Sequence, residues 1–381
     1  MSTRKIKAWH EAGLIDAETR ARLVAYEHEH ARPLALWAVY GIGALAIGLG
    51  LISVVAANWE DIPGQIRLAV HLLLIAATLG GLVWQRDGLA ETAPWALEAL
   101  LFVAALLGLT FFGHIGQVYQ TNSPLWQPIA GWLVLFAPLI LLNGRSWLTA
   151  ALLFGFFAYG CWDFAMRYEF LNRGIDTNWA EFAVATAAPV LVVPFAAFWR
   201  NRSNRAAFWT RLEQVALVYA VLGASFTVIL AAIEPFSDDG LGLPAQFIRL
   251  GIGAVAAALA LATRPGISGR MVSAILLAAG VTQPLAFAIA GSDLLAGMLF
   301  LGLWTGIAAA ALVAGWRGTF QAAVAIIAIR LIILSFELAS DLLLSGFGLI
   351  LSGLLVLGIG YGAVRVSREF APLADAEGTA A

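Results

Sequence analysis

Residues 294–313 read LLAGMLFLGLWTGIAAAALV, twenty consecutive residues without a charge inside an apolar run at about 293–315. As a helix, a run of this length is about 30 Å long, the thickness of a bilayer hydrocarbon core. A helix apolar on every side has no face to offer water, so its solvent is lipid or a protein interior. Eleven further runs of similar character flank it, at about 34–57, 67–84, 95–113, 127–142, 147–163, 180–199, 213–233, 244–263, 270–290, 319–336 and 342–364. Lipid gives backbone amides no partner, so each run is expected to be helical. The chain therefore reads as an all-α polytopic membrane protein with about twelve transmembrane helices, the fourth and fifth being short. The bulk numbers agree: hydrophobic residues make up 61% of the 381 residues and charged residues 12%, against about 25% charged in a soluble domain. Mean hydropathy is +0.85. A net charge of −2 excludes the basic field of a nucleic-acid binder, and a single cysteine, Cys161, excludes a disulfide scaffold.

Positive charge supplies an independent test of this map. With the N-terminus placed in the cytoplasm, 17 of the 22 Lys and Arg fall in inside segments: Arg4, Lys5, Lys7, Arg20, Arg22, Arg32, Arg86, Arg145, Arg200, Arg202, Arg205, Arg211, Arg264, Arg270, Arg317, Arg365 and Arg368. Outside loops carry Arg167 and Arg173, and the spans carry Arg67, Arg249 and Arg330. One missed helix would invert everything after it, so the asymmetry supports alternating spans with both termini cytoplasmic in a bacterial inner membrane. Trp59, Trp84, Trp95, Trp126, Trp147, Trp162, Trp179, Trp199 and Trp316 sit near span ends, where indole rings favour the headgroup layer. The first apolar run is longer than a signal-peptide core and follows a charged segment, so it is expected to stay as an anchor.

Four segments follow from this reading: a cytoplasmic helical head (1–32), two six-helix membrane halves (33–205 and 206–368) and a disordered tail (369–381). In the head, Gly13 breaks the chain and Asp16 is placed to cap a second helix running from about Ala17, with Leu23 and Tyr26 inward. His28 and His30 are two apart, on different faces of a helix, and read as a solvated face. The two halves share a short pattern: Pro63-Gly64-Gln65-Ile66-Arg67-Leu68 opens the second span, and Pro244-Ala245-Gln246-Phe247-Ile248-Arg249-Leu250 opens the eighth. Gln117 and Gln283 recur six spans apart in the same way, which suggests parallel repeats, one recurring transporter plan. Gly302-x-x-x-Gly306 and Gly358-x-x-x-Gly362 are expected to bring helices close. Pro138, Pro189, Pro194 and Pro284 are expected to kink theirs.

Ionisable side chains at membrane depth cost roughly 2.5–3.5 kcal/mol each, so they face partners or wet cavities. Here they are Arg67, His71, Glu98, His114, Arg249 and Arg330 with Glu337, accompanied by Gln117 and Gln283. All but Glu98 lie in the outer half of the bilayer; Arg249 is about five residues, roughly 8 Å, below that surface. Two readings are open. In one, each Arg closes on a carboxylate: Arg67 on Glu60 or Asp61, Arg249 on Glu234, Asp238 or Asp239, and Arg330 on Glu337 or Asp341. In the other, Arg67, Arg249 and Arg330 face an anionic ligand, with His71, Gln117, Tyr119 and Gln283 lining the site, since guanidinium forks suit carboxylate and phosphate.

The chain holds no metalloprotease, serine-hydrolase or phosphate-loop signature, and neither a metal site nor a cofactor is expected. Trp9 with Leu14-Ile15, Asn58-Trp59-Glu60-Asp61-Ile62-Pro63 followed by Arg67, and Gly116-Gln117-Val118-Tyr119-Gln120 together resemble the bacterial membrane-protein family known as domain of unknown function 2157, over about residues 5–150. The resemblance implies a multi-pass bacterial inner-membrane protein and brings no chemistry. The leading expectation is a transporter-like or small-anion-binding protein whose partners are the bilayer and a small anionic solute or lipid headgroup. The alternatives are a non-transporting envelope scaffold or assembly factor, and an intramembrane enzyme acting on a lipid headgroup.

Overall fold

The computed structural model describes residues 6, 9–29, 42, 46, 61–92, 94–171, 178–233, 242–338 and 346–371. Thirteen helices are named here in chain order. They are α1 (Ala17–Glu29), α2 (Gly64–Thr92), α3 (Pro94–Tyr119), α4 (Trp126–Asn143), α5 (Trp147–Leu171), α6 (Asn178–Ala187), α7 (Val192–Arg200), α8 (Ala206–Ile233), α9 (Leu243–Thr263), α10 (Ile267–Ala288), α11 (Asp293–Val313), α12 (Arg317–Leu338) and α13 (Gly346–Phe370). A 3-10 turn (Ala188–Leu191) joins α6 to α7. There is no strand among the described residues. Eleven stretches are long and apolar enough to cross a membrane, and they coincide with eleven of the twelve expected runs. The remaining run, 34–57, lies outside the described residues apart from 42 and 46, as do Asn58, Trp59 and Glu60 of the family pattern.

Two compact units are present, Met1–Arg67 and Leu68–Ala381. In the first, Leu14 N–H bonds to Trp9 O at 2.9 Å and Gly13 N–H to His10 O at 3.0 Å. Gly13 sits at φ +71°, which a side chain would resist. This crossed pair closes the preceding helical turn. Asp16 then caps α1: its Oδ1 accepts the Thr19 N–H at 2.7 Å. Thr19's hydrogen bonds, side chain first and backbone second, hold the Asp16 carboxyl below its ordinary value. Leu23 is half-buried. Tyr26, expected inward, is 60% exposed; the apolar stripe of so short a helix is narrower than the spacing suggested.

In the second unit α8 is the central helix, packed on α5, α7, α10 and α11. Two apolar clusters meet along it: one built largely from α3, α4, α5, α9 and α10 around Trp132, Phe154 and Phe208, the other from α10, α11 and α12 around Phe300 and Trp304. Buried Trp132 donates its indole N–H to Ala105 O at 2.7 Å, and Trp304 donates to Ser225 Oγ at 3.1 Å, so both rings bury without an orphan donor. Helices α9 and α10 approach closely where Gly253 faces Gly280, and Ser273 Oγ donates across the seam to Ala257 O at 2.6 Å.

The two Gly-x-x-x-Gly pairs do not do this. Among the described residues, a Cβ added at Gly302, Gly306, Gly358 or Gly362 would meet no atom within 4 Å. Close approach falls instead at Gly108 against Phe136 and at Gly297 against Leu334, where a large side chain fills the notch. The prolines act as expected in the span 180–200: Pro189 and Pro194 divide it into α6, the 3-10 turn and α7.

Candidate functional site

Polar groups gather at two levels. At the Arg-rich end, where α7 and α9 finish and α8 begins, Glu213 is 1% exposed. Its Oε2 accepts Arg200 Nη1 at 2.7 Å and its Oε1 accepts Arg264 Nη1 at 2.5 Å. One carboxylate therefore ties the ends of two other helices onto α8. Nearby, Glu98 of α3 accepts the Arg145 backbone N–H on Oε1 and the Thr149 hydroxyl on Oε2, the latter at 3.0 Å. Arg205 donates to Gly144 O at 2.9 Å and to Leu141 O, and Arg211 donates to Arg145 O. Leu141 O lies in the last turn of α4 and the other two carbonyls just beyond it, where cations suit the helix end electrostatically as well. The arginines that report topology in the sequence thus also close helix ends.

The opposite level carries the residues expected to bind a ligand. Arg249 is half-buried on α9, six residues in from Leu243, or about 9 Å along the axis. Its Nη1 donates to Gln246 Oε1 at 3.0 Å and its Nη2 to Thr186 Oγ1 at 3.4 Å, and the guanidinium lies 5.5 Å from the Phe182 ring centroid. Gln246 itself is fully buried. Tyr219 of α8 donates its hydroxyl to Thr186 O at 2.6 Å, which fixes the α6 segment beside Arg249. Among the described residues no carboxylate reaches Arg249. The carboxylates that could have closed on it, Glu234, Asp238 and Asp239, lie outside the described residues.

The other expected residues take separate partners. His71 of α2 faces His114 of α3 with Nδ1 to Nδ1 at 3.1 Å, and its Nε2 meets Leu107 O at 3.1 Å. Gln283 Oε1 accepts the Thr227 hydroxyl at 2.8 Å, joining α10 to α8. Gln117 and Tyr119 are exposed at the end of α3. Arg67 stands in the first turn of α2 and Arg330 lies in α12, both half-buried; the side chain of Glu337 and all of Asp341 lie outside the described residues.

Three features escaped the sequence reading. Glu213 is one. Asp163 is another: it is 7% exposed, and its Oδ2 accepts the Trp126 N–H at 2.8 Å, capping α4 from α5. The third is an apolar cavity of about 530 Å³ between α4, α5 and α6, lined among others by Trp126, Leu133, Phe157, Cys161, Glu181 and Val184. Glu181 makes no hydrogen bond or ion pair among the described residues. Asp163 carried a signal, being the one acid in an apolar run; the cavity carried none, since apolar lining residues look like any other lipid-facing residues.

No solved structure matches the chain. Two curated proteins do, both named Heme A synthase, from Rhodopseudomonas palustris strains BisB18 and HaA2. Each is 33% identical, over 115 and 114 residues respectively, covering 26% of this chain and 30% of the relative. The chain thus aligns with under a third of the length of these relatives. Residues 7–149 match the family described as Predicted membrane protein (DUF2157), the stretch in which the Trp9, Asn58-Trp59 and Gln117 patterns lie.

Proposed function

We propose that this multi-pass membrane protein is transporter-like and binds a small anionic solute at Arg249, in the half of the bundle away from its Arg-rich end. The observation that carries the reading is a guanidinium at membrane depth held by an amide oxygen, a hydroxyl and a ring face, with no carboxylate among the described residues. Among the described residues, neutral partners orient the fork without a carboxylate, the condition in which a carboxylate or phosphate adds favourable charge-assisted hydrogen bonds. By helix register Gln283, His71, Gln117, Tyr119 and Arg330 are the further candidates for the path to it. The Arg-rich end is the cytoplasmic side in this reading, with both termini inside and the protein in the bacterial inner membrane; reporter fusions within 201–205 test that placement.

The binding test uses the purified full chain in detergent, titrated with inorganic phosphate, sulfate and short mono- and dicarboxylates at constant ionic strength. One class of anion is expected to raise the Tm of the parent protein, less so Arg249→Lys, and not at all Arg249→Gln. Equal stabilisation of parent and Arg249→Gln would overturn the assignment.

A second reading has its own observation. The 530 Å³ cavity is apolar and has Glu181 in its lining, as an enzyme acting on a lipid headgroup would require; loss of lipid turnover in Glu181→Gln would favour it. Haem, suggested by the name of the two Heme A synthase relatives, does not fit between His71 and His114. Iron bound by two opposed imidazoles needs their nitrogens about 4 Å apart, at roughly 2 Å per bond, and these stand 3.1 Å apart in direct hydrogen bond.

A further inference from the structure

We propose that the cavity between α4, α5 and α6 is a phospholipid site: it takes one acyl chain, with the lipid's primary ammonium headgroup at Glu181. The inference is independent of the Arg249 reading. It assigns binding without a reaction, so it also holds if the turnover test at Glu181 finds none.

The cavity has the form of a slot along the helix axes. Its lining recurs at every third or fourth residue of each helix, so each helix contributes one face: from Trp126 to Leu133 on α4, from Phe164 to Phe157 on α5 and from Ala180 to Ala185 on α6. Trp126, Phe164 and Glu181 belong to the same end of these helices, the one away from the Arg-rich level, and Leu133, Phe157 and Val184 lie deeper. The span from Trp126 to Leu133 makes the slot about 10 Å long. Its volume is about 530 Å³ and its lining is almost wholly apolar. Water there would find too few polar partners, and an empty slot would forfeit dispersion contacts along its walls. It is open rather than sealed, and two of its α6 residues, Glu181 and Val184, are exposed, the latter by 47%. In a membrane the medium on that side is hydrocarbon, and a lipid chain running parallel to the helices matches the slot in direction and polarity.

Chemistry at the mouth selects the headgroup. Glu181 stands in the first turn of α6, at the end of the apolar stretch Ala180–Arg200, where a span meets the headgroup layer. Its exposed carboxylate has no cation beside it among the described residues. A carboxylate so placed attracts an ammonium and repels a headgroup that carries only phosphate charge. Trp126 packs edge-on against Phe164, with ring centroids 5.3 Å apart, and forms the rim. Indole rings favour this layer, and an indole N–H can donate to a phosphate or ester oxygen. Small side chains on the lining, Ala130 and Ala185 among them, leave the room for the chain, and Cys161, the one thiol of the protein, lines the slot between its ends.

The test uses the full chain, purified and delipidated in detergent. It is titrated in mixed micelles with dioleoyl phosphatidylethanolamine or with dioleoyl phosphatidylglycerol, which has the same chains and no ammonium. The ethanolamine lipid is expected to raise the Tm of the parent more than the glycerol lipid does, and to slow the labelling of Cys161 by N-ethylmaleimide several-fold. Ethanolamine phosphate, a headgroup without chains, is expected to do neither. Glu181→Gln should erase the difference between the two lipids, and Ala130→Trp, which fills the slot, should make Cys161 labelling indifferent to both. Equal effects of the two lipids on the parent, an unchanged preference in Glu181→Gln, a full effect of ethanolamine phosphate, or Cys161 labelling that ignores lipid would each overturn the proposal. The comparison of lipids on the parent needs no variant, so it decides the matter even if Ala130→Trp fails to fold.

Discussion

The two polar levels of the bundle handle buried charge in opposite ways. At the Arg-rich end every described contact closes a charge: Glu213 takes two guanidinium groups, Glu98 takes a backbone N–H and a hydroxyl, and Arg205 and Arg211 end on helix carbonyls. At the opposite level Arg249 has, among the described residues, only neutral partners, and His71 meets another imidazole. Closed charge builds structure, whereas charge left open at membrane depth costs stability and is kept where a ligand or proton offsets it. The difference teaches that an arginine in a membrane sequence has no fixed meaning; its partner decides.

The comparison breaks most readily at Glu213. Glu213→Ala leaves two arginines facing each other at a buried site, and a loss of about 3–5 kcal/mol is expected from stranding buried charge. Detergent size-exclusion profiles and thermal unfolding should show a markedly destabilised or aggregated protein; native behaviour would mean that the pairs contribute little. Glu98→Gln comes next, at about 1–3 kcal/mol, since it weakens the anchoring of the α4–α5 turn while leaving a carbonyl to accept one bond.

Arg249 should respond with the opposite sign. Arg249→Met removes a charge with no carboxylate partner among the described residues, together with two hydrogen bonds, and in anion-free buffer it should raise stability by about 1 kcal/mol, the desolvation gain exceeding the lost bonds. A large loss on that substitution would place Arg249 with the structural arginines and erase the contrast between levels.

The smallest effect lies in the head. Thr19 bonds depress the Asp16 carboxyl, so its contribution to α1 is fully present above the unfolded carboxylate value and disappears as pH falls through the lower folded value. Amide exchange along Ala17–Glu29 should quicken over that acid window in the parent chain and be pH-insensitive there in Asp16→Ala.

Much of this was legible because lipid enforces simple rules. Run length gave the spans, and Gly13 and Asp16 gave the breaks of the head. Glu213 was missed for a definite reason: its apolar run was read as starting at residue 213, which made the acid a boundary residue. The helix starts at Ala206, so Glu213 lies two turns inside and is buried. The glycine pairs misled because composition does not say which face of a helix meets a neighbour. Which polar residues would pair was mostly beyond sequence spacing: Glu213 takes Arg200 and Arg264, 13 and 51 positions away.

Glu213 has one mechanical consequence. Because a single carboxylate holds Arg200 at the end of α7 and Arg264 just after α9, the joints beside α8 are pinned together at that end. Relative motion of these helices must then hinge there and swing at the far tips, like tongs held at the rivet. Any gate in this bundle would open on the side of Arg249.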